Sequence, residues 1–301
     1  MSEKQKKEEK IVKLKLDVIF KRIFGNENNK AIISKFISDL LEIPHNKIRN
    51  VYIKNVELTP KYLEKKFSRL DLKLDVDGRI INIEIQVNSQ PDFRERTLFY
   101  WSSIFSNELK EKEEYKNLKE TICINIINFN LFRSPVYHSH FKILEKDRLE
   151  VLSDKFAIHF FELRKIKKYK QNKPMEDWLN LINAEKEKDL MALETATNIP
   201  EVKDVIVKLR ELSADEQVRE EALAREIRLH DEASAINSSR KEGLRKGLEK
   251  GRREGLREGE RKGRAEGRTE GRAEGINQMI EVMRLQGYSE EQIKRILGAV
   301  N

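Results

Sequence analysis

The sequence has one cysteine, few histidines and no long apolar run, and each shortage excludes a class of protein. Cys123 is alone in 301 residues, which excludes a disulfide framework and a cysteine-based zinc site. The five histidines form no H-x-x-x-H pair. No apolar run reaches about 18 residues, and the opening MSEKQKKEEK lacks the apolar stretch of a signal peptide. We therefore expect a cytoplasmic protein with no membrane partner.

The formal net charge of +8 is carried by two segments of the chain. Residues 1–16 hold six lysines and three glutamates, and residues 240–275 hold thirteen basic and eight acidic residues, so the remainder is neutral. The apolar fraction of 38% supports a packed core for about 150–200 residues. We expect a basic disordered tail over 1–16 and a neutral folded domain after it.

Apolar periodicity predicts an α/β layer fold. Helical spacing in LDVIFKRIFG and over about 29–42 predicts two helices that cover one face of a sheet, and a third helix is predicted over about 93–115. Period-two alternation predicts strands in VYIKNVEL, RLDLKLDV, RIINIEIQV, TICINIINFNLF and FAIHFFEL. Helices and strands in this order are typical of a sheet layered with helices.

The composition changes after Leu163. Residues 164–173 contain six basic residues and no acid, and 176–232 have the pattern of polar amphipathic helices. We place a folded domain at 17–170, a helical extension at 171–239, a charged repeat at 240–275 and a small helical hairpin at 276–301. In that hairpin Gly287 is the expected C-cap of one helix, and Ser289 with Gln292 forms a capping box for the next.

The charged repeat has glycine at every fourth position, and it contains nine of the thirteen glycines of the chain. Each interior glycine costs a helix about 1 kcal/mol relative to alanine. Three interpretations remain open: a helix whose glycine groove admits a second helix and forms a homodimer, a basic arm that follows DNA phosphates, or a partly helical linker.

The most informative segment is SRLDLKLDVDGRIINIEIQV. Asp77-Gly78 predicts a type I′ hairpin turn, because that turn needs positive φ at both central residues. Paired residues then have numbers that add to 155, which places leucines opposite isoleucines on one face. On the other face Lys73 meets Asn82 and Asp71 meets Glu84. A slip of one residue would mix the two faces, so the register is well specified.

Asp71 and Glu84 would have Cβ atoms about 5 Å apart, and like charges in that arrangement destabilise a sheet. A divalent cation such as Mg²⁺ offsets the repulsion, since it prefers carboxylate oxygens. The alternative is a solvated face on which Lys73 and Arg69 neutralise the two acids.

The ordered set of motifs resembles the PD-(D/E)XK nuclease superfamily. The set is DVIFKRIFG, then an Asp followed about a dozen residues later by E-x-Q on the second strand of a hairpin, then F-R-E-R-x-x-x-Y. Within the superfamily it is similar to the Rpn family of recombination-promoting nucleases and transposases. The resemblance covers more than half of the chain.

The resemblance implies a restriction-endonuclease-like core with a central mixed sheet flanked by helices, followed by an all-helical extension. It implies a metal-dependent DNA endonuclease of recombination or transposition, with Mg²⁺ or Mn²⁺ held by Asp71, Glu84 and the Ile85 carbonyl. Gln86 stands where the superfamily usually has lysine, so it would orient water without supplying charge. Lys73 is then the candidate for the missing cation. The alternative function is an inactive member of the fold that acts as an interaction protein through its glycine-repeat tail.

Further residues are assigned to DNA or to an auxiliary role. Asp17 resembles the early helix acid of the family and would reach the metal through water, or it stabilises the helix dipole. Arg96 and Tyr100 share a helix face and bind the scissile phosphate or pack against Glu84, with core support as the other role of Tyr100. The remaining candidates for DNA contact are Arg94, Lys165, Lys167 and Lys168.

Overall fold

The computed structural model describes residues 11–54, 72–109, 113–168 and 171–298. Its strands are β1 (Val51–Lys54), β2 (Leu72–Val76), β3 (Arg79–Gln86), β4 (Thr121–Ile127), β5 (His138–Phe141) and β6 (Phe156–Glu162). Its α-helices are α1 (Asp17–Phe24), α2 (Lys30–Leu40), α3 (Phe93–Ser106), α4 (Met175–Ile182), α5 (Glu187–Ala196), α6 (Pro200–Ala214), α7 (Glu216–Leu285) and α8 (Glu290–Gly298).

The strands form one mixed sheet in the order β1-β2-β3-β4-β6-β5. The predicted hairpin is confirmed for every described pair, since Leu72 lies opposite Ile83 and Lys73 opposite Asn82. Strands β3, β4 and β6 run parallel, and Gln86, Ile127 and Glu162 share one row at their carboxyl ends. Residues that follow these strands therefore emerge at the same end of the sheet, where the three strands have their carboxyl termini.

The two faces of the sheet bury different cores. The face with Ile81, Ile83 and Ile85 packs on α1 and α2, as the sequence predicted, and these helices contribute Phe20, Phe24 and Phe36 among other apolar side chains. On the opposite face α3 packs through Phe93, Tyr100 and Ile104 against Ile80, Cys123, Ile158 and Phe160. Alternate residues of β3 therefore serve different layers, and Glu84 lies on the side of α3.

The predicted disordered tail over 1–16 is wrong for its last six residues. Ile11, Val12, Leu14 and Leu16 are buried in the core, and Val12 N donates to Ser213 Oγ at 3.0 Å. Even Lys15 is buried, and its ammonium is paired with Glu185. Apolar side chains between the lysines explain this packing, because the lysine stems can be covered while their charges are paired.

The compact first unit runs to Ala233, past the domain boundary that the sequence predicted near residue 170. The helices after 171 complete the same core: the Trp178 ring on α4 lies 5.3 Å from that of Phe36, and its Nε1 donates to Asp39 Oδ2 at 2.8 Å. Trp178 is fully buried. The basic run 164–173 is thus a connection within one unit, not between two.

The second unit, Ser234–Asn301, contains the glycine repeat. Residues 243–275 are helical and exposed, and a Cβ added at any of the nine glycines would meet no atom within 4 Å. Gly287 (φ +88°) ends α7, with Tyr288 N donating to Met283 O as in a Schellman motif. The predicted capping box is confirmed, because Ser289 N donates to Gln292 Oε1 at 2.9 Å and Gln292 N to Ser289 Oγ at 3.4 Å.

None of the helices in the described segments combines the length and the apolar character needed to cross a bilayer.

Candidate functional site

The β2–β3 turn fixes which side chains of β3 face α3. Asp77 and Gly78 have φ of 49° and 82°, as a type I′ turn requires. Backbone N–H groups of Arg49 and Asn50 donate to the Asp77 carboxylate at 2.9 Å and hold its pKa below the usual value. With this register Glu84 and Gln86 lie on one face. Asp71, the predicted partner of Glu84, lies outside the described residues.

Arg96 on α3 brings the two polar residues of β3 together. Its Nη2 donates to Glu84 Oε1 at 2.9 Å and to Gln86 Oε1 at 3.1 Å, and its Nη1 contacts Gln90 Oε1. The Glu84 side chain is only 9% exposed. The guanidinium also lies 5.7 Å from the centre of the Tyr100 ring. Of the two roles predicted for Arg96, the structure shows the contact with Glu84.

Buried polar side chains surround Glu84. Asn125 on β4 lies beside it in the sheet and is 1% exposed, and Thr97 Oγ1 lies 3.4 Å from Asn125 Oδ1. Asn82, two residues before Glu84 on the same face, is 2% exposed, and its Oδ1 accepts no hydrogen bond from the described residues. Buried acceptors are normally satisfied, so this one marks a place for a donor or a cation.

These oxygen donors suit the divalent cation that the family motifs imply. Mg²⁺ and Mn²⁺ prefer carboxylate and amide oxygens, and Glu84 with the unsatisfied Asn82 Oδ1 supplies both kinds on one strand face. The described segments by themselves contain no cluster of three acids, histidines or cysteines placed to bind a metal. Asp71, the further ligand that the sequence predicts, lies outside the described residues.

A chain of contacts orients Gln86. Its Nε2 donates to Asn88 O at 3.1 Å, so its Oε1 turns toward Arg96. Asn88 is in turn anchored by a 2.6 Å hydrogen bond from its Nδ2 to Leu229 O on α7. These contacts fix the Gln86 amide in one orientation. The sequence pattern did not predict them.

Asp17 lies in the first turn of α1 and accepts from Arg225 Nε at 2.7 Å. Arg225 is one turn before Leu229 on α7, so Asp17 joins the same set of contacts that anchors Asn88. The structure shows Asp17 in an ion pair, and its water-mediated link to a metal remains a prediction.

Lys73 forms its described ion pair with Glu108. Its Nζ pairs with Glu108 Oε1 at 2.9 Å, and both side chains are largely buried. Asp75, two residues further along β2, pairs with Lys119 at 2.9 Å and with Lys54 at 3.0 Å. Burial raises the pKa of Asp75, but the two lysines outweigh it and the net shift is downward.

The predicted DNA-contacting residues separate into exposed and buried groups. Arg94, Lys167 and Lys168 are exposed, and all three follow the carboxyl ends of parallel strands. Tyr100 is buried and supports the core. Lys165 is also buried, with Nζ 2.6 Å from Glu162 Oε2 and bonded to the carbonyls of Phe132 and Ser134. Lys165 is therefore a structural residue and not a DNA contact.

Sequence reasoning missed strand β5 and the histidines it brings together. His138 Nε2 lies 3.0 Å from His159 Nδ1, and the His140 ring stacks on that of His159 at 4.0 Å. Burial lowers the pKa of His138 to about 4 and that of His159 to about 3. A strand of four residues without alternation gives little signal, although H-x-H places both side chains on one face.

The comparisons with known proteins agree with this architecture. The family model described as "PD-(D/E)XK nuclease family transposase" matches residues 14–239, which is more than half of the chain. No curated protein and no solved structure matched the chain. The resemblance to the superfamily and the predicted fold are confirmed, while membership of the Rpn branch stays a prediction. This chain belongs to the PD-(D/E)XK nuclease family transposases.

Proposed function

We propose that the chain is a metal-dependent DNA endonuclease that acts in recombination or transposition. The observation that carries this proposal is the contact of one guanidinium with both Glu84 and Gln86, the E-x-Q pair of the family pattern. Arg96 thus joins two oxygen-bearing side chains at the carboxyl end of β3, and Asn82 lies on the same face of the strand.

Asp71, Glu84 and the backbone carbonyl of Ile85 are the proposed ligands of Mg²⁺ or Mn²⁺. When bound, the ion supplies Lewis-acid activation of water and of the phosphate. Asn82 lies on the same face as Glu84, and its Oδ1 could bind the ion directly or accept a hydrogen bond from a water of the ion's hydration shell.

Arg96 is the proposed source of the positive charge that Gln86 lacks. The sequence predicted that Lys73 supplies this charge, but its ammonium is paired with Glu108. Arg96 contacts Gln86 itself, and a guanidinium matches phosphate oxygens in a bidentate geometry. We expect Arg96 to pair with Glu84 in the free protein and to stabilise charge on the phosphate during hydrolysis.

Gln86 is the proposed positioning group for the attacking water. Its Oε1 has a second lone pair beside the one that Arg96 uses, and its Nε2 is held by Asn88 O. Water attacks the phosphorus, the P–O3′ bond breaks, and the 3′ oxygen takes up a proton. Exposed Lys167 and Lys168 would hold neighbouring phosphates, since they follow β6 at the carboxyl ends of the parallel strands.

A plasmid-nicking assay with purified full-length protein tests the proposal. We expect cleavage with Mg²⁺ or Mn²⁺, none with EDTA, and none from the Asp71→Ala or Glu84→Gln variants. Glu95→Gln is the matched control, because Glu95 is exposed on α3. Cleavage that survives Glu84→Gln would point to a contaminating nuclease or another site.

A folded wild-type protein that binds DNA without cutting it in either metal would favour the alternative function, an inactive fold that acts through its tail. That helix is exposed along the whole repeat, as a contact surface requires. Homodimerisation through the C-terminal helices remains a prediction.

A further inference from the structure

A hairpin after β5 presents apolar side chains to solvent. We call residues 141–152 the leucine hairpin. Its two arms are joined by Glu145 N donating to Glu150 O at 2.8 Å and Leu152 N donating to Ile143 O at 3.0 Å. The exposed large apolar side chains on it are Phe141, Ile143, Leu144, Leu149, Val151 and Leu152. Six such residues on one short element exceed the isolated apolar groups of an ordinary surface.

Leu149 at the tip of the leucine hairpin has an unfavourable backbone. Its φ is 57°, while the other non-glycine residues with positive φ in the described segments are polar. The loop is held by the Glu145 carboxylate, which accepts from Asp147 N and Arg148 N at 3.1 and 2.6 Å. The Leu149 side chain is nevertheless 67% exposed. A strained residue whose side chain stays mostly exposed suggests a contact made with another molecule.

An apolar pocket adjoins the same surface. Its volume is about 290 Å³, and its wall includes Leu98, Phe132, Phe141, Ile143, Phe156 and Phe160. Protruding leucines and a receptive apolar pocket thus occur on a single chain. Such self-complementarity is the condition for an isologous interface between two copies.

Charge on the leucine hairpin also favours a second copy over DNA. The leucine hairpin carries three basic and three acidic side chains that alternate along it: Lys142, Glu145, Lys146, Asp147, Arg148 and Glu150. A neutral, alternating surface offers opposite charges to a rotated copy of itself, whereas it gives phosphates no net attraction. Strand β5 is also the last strand in the sheet, so its outer edge is a template for pairing.

We propose that the leucine hairpin and the edge of β5 form a homodimer interface, in which Leu149 and Leu152 of each copy cover the apolar pocket of the other. The interface is separate from the glycine repeat and does not depend on nuclease activity. It lies wholly within the first compact unit.

Sedimentation velocity of the full-length protein over a wide range of concentration tests this proposal. We expect a dimer for the wild type, and for the double variant Leu149→Lys/Leu152→Lys a dissociation constant raised about tenfold or more. The matched control is Leu244→Lys/Leu248→Lys, because these leucines of the repeat are 66% and 67% exposed. A wild type that stays monomeric, or a dimer that only the control variant disrupts, overturns the proposal.

Leu149→Gly separates an interface role from a local turn role. Glycine accepts positive φ without strain, so the variant should melt at a higher temperature than the wild type and still dimerise more weakly. A higher melting temperature with unchanged dimerisation would show that Leu149 makes no contact between copies.

Discussion

Replacing Arg96 with methionine should destabilise the first compact unit, because it removes the ion pair that Arg96 makes with the buried Glu84 carboxylate. The Arg96 and Glu84 side chains are 24% and 9% exposed. Breaking a buried ion pair from one side costs about 3–5 kcal/mol. The partial exposure of Arg96 lowers this figure, and the variant also removes a buried Nε that has no acceptor among the described residues. We expect the free energy of unfolding to fall by about 2 kcal/mol.

Urea unfolding followed by tryptophan fluorescence measures this change. The only two tryptophans are Trp101 and Trp178, and both lie in the first unit, so the signal does not report the glycine-repeat helix. Glu84→Gln combined with Arg96→Met completes a double-mutant cycle. We expect a coupling free energy of about 1–3 kcal/mol, since the second substitution removes the charge that the first leaves unpaired.

Divalent metal gives this prediction a second readout. If Glu84 is a ligand, then Mg²⁺ or Mn²⁺ should stabilise the Arg96→Met variant more than the wild type, because the metal replaces the lost positive charge. Arg94→Met is the control, since Arg94 is exposed and makes a hydrogen bond to a backbone carbonyl instead. Equal stability of wild type and Arg96→Met, with no coupling in the cycle, would refute the reasoning.

Three other substitutions test the fold around the site. Gly78→Ala should lower the free energy of unfolding by about 1–2 kcal/mol. The cause is the φ of 82° alone, because an added Cβ would meet no atom within 4 Å. An unchanged melting temperature would contradict the type I′ turn. The pKa of His159 is lowered by burial from 6.5 to about 3, so its neutral form favours folding above pH 6.5 and that stability is lost as the pH falls toward 3. His159→Gln should therefore make thermal stability less sensitive to acid, whereas His230→Gln, at an exposed residue, should leave the pH profile unchanged. Lys165→Met should lower the free energy of unfolding by about 3 kcal/mol, because it removes the ammonium that pairs with the fully buried Glu162 carboxylate. Lys167→Met should leave stability unchanged and weaken DNA binding. The reverse pattern would mean that Lys165 contacts DNA.

The hairpin shows how much local chemistry predicts. Asp77-Gly78 fixes the turn, and the turn fixes the register, so the face that carries Glu84 followed from sequence alone. The sequence left two roles open for Arg96, contact with Glu84 or with the scissile phosphate. Only the packing of α3 on the sheet shows that its guanidinium reaches the Glu84 carboxylate.

The helices after residue 171 show where composition misleads. Their polar residues suggested a separate extension, yet Trp178, Leu179 and Ile182 are fully buried on the same core as α2. A polar helix with one apolar stripe has the same sequence pattern whether it packs on a neighbouring helix or on a distant sheet. Lys165 illustrates the same limit, because a basic run does not reveal which of its lysines turns inward.

The sequence by itself determined the first three helices, every described strand except β5, the hairpin register, the capping at the carboxyl terminus and the family motifs, because each depends on residues close together in the chain. Tertiary structure alone decided the contact of Arg96 with Glu84 and Gln86, the burial of Lys165, the histidine cluster on β5 and β6, and the extent of the core to Ala233. Those features depend on which distant segments meet, and side-chain burial and charge pairing are set only when they do.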